Sequence, residues 1–121
     1  MIKMVSLVDA DMVTAARWIA GKLEGKKDNV KIISSTPALN EKLIEEGYDT
    51  EIGNAEIIAV LGSDDIVEIN ERCSEAGKLF LVASPNLKFY DLYEIFEKFT
   101  DNFKIYNISN TKNMIAGECF K

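Results

Sequence analysis

The residues whose types and spacing could do chemistry are Asp9 and Asp11, Asp64 and Asp65, and Ser84 with Asn86. Each group follows a short apolar run. Met4-Val5-Ser6-Leu7-Val8 leads into Asp9-Ala10-Asp11, Ile57-Ile58-Ala59-Val60-Leu61 into Gly62-Ser63-Asp64-Asp65, and Leu79-Phe80-Leu81-Val82-Ala83 into Ser84-Pro85-Asn86. If the runs are neighbouring parallel strands, their carboxyl ends gather one acidic, hydroxyl-bearing rim, where open α/β sheets bind ligands. The expected ligand-binding set is Asp9, Asp11, Gly62, Ser63, Asp64, Ser84 and Asn86. Adjacent strands lie ~4.8 Å apart, so Asp9 and Asp64 could share a hard divalent cation, Mg²⁺ or Ca²⁺, which prefers oxygen ligands.

Two readings compete for these acids. In one, Asp9 and Asp64 hold a metal whose bound water attacks a small phosphorylated substrate, with Asp11 or Asp65 as general base. In the other they are helix caps, because a helix N-terminus presents unpaired N–H groups that an aspartate satisfies directly. Capping accounts for one aspartate per loop and leaves its neighbour over.

The absence of histidine narrows the chemistry further. It removes a Ser-His or Cys-His nucleophile pair, an imidazole base and an imidazole zinc ligand. No GxGxxG or GxxxxGK[ST] is present, and the turn Asp9-Ala10-Asp11-Met12 has no glycine to admit a pyrophosphate, which argues against a dinucleotide enzyme or P-loop NTPase. The two cysteines, Cys73 and Cys119, form no CxxC pair and read as buried, reduced thiols.

In its rim and length the chain resembles response-regulator receiver domains. Acids follow the first strand at Asp9 and Asp11, and Ser84 ends the fourth. It departs from that family where the third strand ends, at Gly62 in place of the phosphoacceptor aspartate. The family's Lys-Pro after the fifth strand is missing as well.

The elements that must position the rim follow from periodicity. Apolar runs of strand length alternate with helix-period stretches, the pattern of a parallel sheet covered by helices. Strands are predicted near 2–8, 30–34, 56–61, 79–83 and 103–108, and helices near 11–24, 37–46, 64–76 and 87–100. Thr36-Pro37 and Asn86 read as helix starts, and Gly25, Gly47 and Gly77 as left-handed helix stops. Residues 49–52 could add an extended edge piece. Residues 104–108 and 114–120 are too close for a parallel crossover, so the second must run antiparallel to the first. The expected fold is a three-layer α/β domain over residues 1–121. Its five-stranded sheet is mostly parallel, of flavodoxin-like order 2-1-3-4-5, with a C-terminal antiparallel edge strand.

Composition sets the partners. With 121 residues and 47% hydrophobic content the chain fits a single domain. A net charge of -6, carried against mostly lysine cations, disfavours nucleic acid. No apolar stretch of ~18 residues or secretory signal is visible, which reads as cytoplasmic and not membrane-bound.

Two faces carry surplus apolar residues. On the first helix Met12, Ala16, Ile19 and Leu23 form the core stripe, and Trp18 falls outside it. It is either covered by the C-terminal strand or a loop, or an exposed anchor. The fourth helix is apolar over a broad arc, with Leu87 and Tyr90 at its margin. Trp18, Leu87 and Tyr90 are therefore the candidate partner contacts, for a homodimer or another protein. The first functional reading is a small binding or interaction module rather than an enzyme, with a ligand or divalent cation at the rim. The alternatives are the metal-dependent enzyme and a structural subunit of a larger complex.

Overall fold

A computed structural model describes residues 10–23, 30–34, 41, 45, 56–109 and 114–121. In chain order the elements are α1 (Ala10–Leu23), β1 (Val30–Ser34), β2 (Ile57–Leu61), α2 (Ile66–Glu75), β3 (Leu79–Ser84), α3 (Phe89–Glu97), β4 (Phe103–Asn107) and β5 (Ile115–Phe120). Glu41 and Glu45 also have helical backbone. The strand expected near 2–8, the edge piece near 49–52, Thr36-Pro37, Gly25 and Gly47 lie outside the described residues.

The chain is α/β, but its sheet is not the mostly parallel, flavodoxin-like one expected from the alternation. The order is β1-β2-β3-β5-β4. β1 with β2 and β2 with β3 are parallel; β3 with β5 and β5 with β4 are antiparallel. The expected edge strand, β5, is inserted beside β3, and β4 is pushed outward.

The side chains explain why. A strand between two neighbours and under helices must be apolar or small on both faces, or have any polar side chain internally paired, whereas an edge strand tolerates exposed charge. β5 reads Ile-Ala-Gly-Glu-Cys-Phe and is buried through Cys119, whereas β4 reads Phe-Lys-Ile-Tyr-Asn, with Lys104 and Asn107 exposed. Gly117 adds a steric reason. A Cβ built there would lie 2.6 Å from Phe96 Cε2, so only glycine lets α3 sit this close to β5.

Strand alternation divides the core into two layers. On one face Ala59, Leu61, Leu81, Ala83 and Ala116 pack against Met12, Ala15, Ala16, Ile19 and Leu23 of α1. On the other Ile58, Val60, Phe80, Val82 and Cys119 pack against Ile69 and Cys73 of α2 and Leu92, Ile95 and Phe96 of α3. Burial of both faces explains why β2 and β3 read as unbroken apolar runs.

α2 ends at Ala76 with extended backbone, φ -65° and ψ 137°. Gly77 therefore does not close it in the left-handed conformation expected. Among the described residues only Gly62 has a positive φ, at 72°.

Candidate functional site

β2 and β3 are parallel neighbours with Leu61 opposite Ala83, so the Gly62 and Ser84 turns lie side by side. The Gly62 N–H donates to the Ala83 carbonyl at 2.6 Å, and the positive φ of Gly62 turns the chain out of β2 towards α2. The two described turns of the expected rim are thus brought together. Asp11 lies in the first turn of α1, and Asp9 lies outside the described residues.

The polar groups of these turns are largely engaged with their own backbone. Asp65 is the N-cap of α2, its Oδ1 accepting from the Val67 N–H at 3.0 Å and the Glu68 N–H at 3.2 Å. The Ser63 hydroxyl donates to Glu68 Oε2 at 2.9 Å and accepts from the Asp65 N–H at 3.3 Å. Ser84 Oγ accepts from the Asn86 N–H at 3.3 Å. Asn86 does not cap α3. The N-cap is Lys88, whose N–H donates to Asp91 Oδ2 at 3.1 Å. Asp64 is exposed beside the capped helix start. No group of three or more metal-binding side chains occurs among the described residues.

A second constellation escaped the sequence reading. Glu118 sits on β5 with only 6% exposure, on the face turned towards α1. Its Oε1 accepts from the Tyr106 hydroxyl at 2.6 Å and pairs with Lys22 Nζ at 3.3 Å. Trp18 lies against Tyr106 with ring centroids 5.7 Å apart, and the Lys22 ammonium lies 5.0 Å from the Tyr106 centroid. Trp18 is thus covered by the C-terminal hairpin.

The titration of this group follows from its geometry. Burial pulls Lys22 downward, but the charge and hydrogen bond of Glu118 outweigh it and hold the ammonium above its ordinary value. The hydrogen bond to Glu118 holds the Tyr106 phenol above its ordinary value, with burial adding to it. A carboxylate that accepts from both a phenol and an ammonium is satisfied and neutralised. The cluster therefore fastens the flank of α1 to the hairpin and presents no free nucleophile. Its sequence signal was one acid inside the apolar run 114–120.

The third feature is the outward face of α3. Leu87 is buried at 4% exposure and belongs to the core, so it is not a surface contact. Phe89, Tyr90 and Tyr93 are 48%, 75% and 41% exposed. They form a continuous group: Phe89 stacks on Tyr93 with centroids 6.1 Å apart, Tyr90 meets Phe89 edge to face at 5.9 Å, and Tyr93 meets Phe103 of β4 at 5.4 Å.

The chain matches no protein-family model, no curated protein and no solved structure. The functional reading therefore stands on geometry. No helix among the described residues is long and apolar enough to cross a membrane.

Proposed function

We propose that this chain is a binding or interaction module that docks a protein partner on the aromatic face of α3. The observation that carries the reading is the joined, outward set Phe89, Tyr90 and Tyr93, continued by Phe103 on the edge strand. Scattered exposed hydrophobics need no explanation, whereas clustered aromatics are the residues enriched at binding hot spots. The same helix has already buried Leu92, Ile95 and Phe96, so the outward aromatics are not required for its attachment.

A photoreactive benzoylphenylalanine placed at Tyr90, with the same group at exposed Arg17 on α1 as control, tests this in a cell extract and in the purified chain. The expected result is a discrete protein adduct, another copy of the chain or a different protein, from position 90 and not from 17. Equal yields from both positions would overturn the reading.

A second reading concerns the rim. Because Asp65 takes both amide bonds at the start of α2, the carboxylate of Asp64 remains for a divalent cation, with Asp9 as its proposed companion. Magnesium and calcium titrations followed by NMR should then move the amides of residues 62–64 and 84–86 together. A titration that leaves those amides in place removes the cation reading and leaves the α3 face untouched.

A further inference from the structure

The aromatic face of α3 carries charge of one sign. Helical spacing puts Glu94 one turn beyond Tyr90 and Glu97 one turn beyond Tyr93, and all four residues are exposed. The helix Phe89–Glu97 holds three acids and no base, and the lysines nearest in sequence, Lys88 and Lys98, are the caps at its two ends. Among the described residues neither Glu94 nor Glu97 is in an ion pair with a lysine or arginine. Lys104, next to Phe103 on β4, belongs to the other face of the sheet, opposite Glu118.

The placement of these two acids works against the helix. A helix C-terminus carries partial negative charge, which favours cations and disfavours acids. The last turn of α3 nevertheless holds Glu94 and Glu97 and no basic residue. Asp91 differs, because it accepts from the Lys88 N–H and so serves the helix start.

We propose that the partner docked on this face is a basic, apolar segment of another protein, in which arginines alternate with large apolar side chains. This rests on the docking reading above and adds the chemistry of the partner. An arginine is met there in two ways. The carboxylates of Glu94 and Glu97 match the guanidinium fork, and the rings of Tyr90 and Tyr93 offer faces on which it stacks. Apolar side chains of the same segment cover Phe89 and Phe103, which Tyr93 joins into one surface. A second copy fits less well, because a symmetric contact through this face sets Glu94 and Glu97 against their own images in a chain of net charge -6. Anionic lipid and nucleic acid meet the same repulsion.

The test titrates synthetic amphipathic peptides into the whole isotope-labelled chain and follows them by NMR. The peptides share their leucine and tryptophan positions and carry arginine, glutamine or glutamate at the polar ones. The arginine peptide should move the amides of residues 89–97 and Phe103 and bind most tightly, and the glutamate peptide least. Replacing both acids, Glu94→Gln with Glu97→Gln, should weaken the arginine peptide about tenfold while the melting temperature stays equal or rises. Tyr90→Ala should weaken the arginine and glutamine peptides alike. Equal binding of the three peptides at this face would overturn the basic partner and leave the docking reading in place. Shifts from the arginine peptide as large at residues 64–71 as at 89–97 would overturn it too, as general attraction to an acidic chain. Signals of residues 89–97 that move with protein concentration alone would assign the face to a second copy instead. If no peptide moves these amides, the basic partner is again overturned, and the cross-link at position 90 separately decides whether docking survives.

Discussion

At the residue scale the described polar side chains divide between those that hold the fold and those left over. Asp64 and Asp65 are adjacent and chemically identical, but only Asp65 accepts the two amide hydrogen bonds at the start of α2. Asp65→Ala should therefore cost ~1 kcal/mol, whereas Asp64→Ala should change stability by less than ~0.5 kcal/mol; urea titrations of the two variants measure the difference. Glu118 is the opposite case, a buried acid whose value depends on both partners. Tyr106→Phe removes a hydrogen bond to a charged group and should cost ~1.5–3 kcal/mol, against little change for Tyr90→Phe in the same assay. The pH dependence has a definite sign. Tyr106 and Lys22 both have folded-state values raised above the ordinary 10.0 and 10.5, so the stability they contribute is fully present below those values. It is lost as the pH rises through the raised ones. Thermal melts of the wild type should thus fall above about pH 10, and the fall should be shallower in Tyr106→Phe.

At the element scale, α3 holds two incompatible-looking roles on one short segment. Its inner side, Leu92, Ile95 and Phe96, closes the core, and its outer side carries the aromatic face. The breadth of the apolar arc was legible from the wheel; which part turned inward depended on Gly117. With no Cβ at that position, Phe96 drops onto β5 and the outer aromatics rotate to the surface. Gly117→Ala puts a carbon 2.6 Å from the Phe96 ring and forces it to move. Overpacking of this kind costs ~1–3 kcal/mol, read as a lower urea midpoint. α1 shows the same dependence on its neighbours. Its core stripe is set by spacing, but the cover over Trp18 comes from Tyr106 on a strand far along the chain.

At the scale of the whole molecule, the departure from a flavodoxin-like sheet has a measurable consequence. In the expected order, residues 114–120 would be an edge and residues 103–108 would lie inside. In the structure β5 is paired on both sides, with β3 and with β4. Amide hydrogen exchange should therefore find the backbone amides of Ile115–Phe120 among the slowest in the chain, with those of Phe103–Asn107 alternating between slow and fast as in an edge strand. Uniform protection of Phe103–Asn107 together with rapid exchange on one side of Ile115–Phe120 would contradict the observed order. The central position of β5 also joins the three features of the molecule on one strand. Glu118 reaches α1, Gly117 admits α3, and Cys119 lies in the core layer that α2 covers.

What the sequence by itself determined is local. Periodicity placed the described helices and strands to within a few residues, because burial on one or both faces is written into the spacing of apolar side chains. The short stretch of chain between residues 108 and 114 required the two strands to be antiparallel, because so few residues cannot make a parallel crossover. Tertiary structure decided which strand of that hairpin went inside, since the choice depends on the fit of Gly117 beneath Phe96 and on a partner for Glu118. It also decided what covered Trp18. Each of these is a contact between residues distant along the chain, and no periodicity within a single segment encodes it.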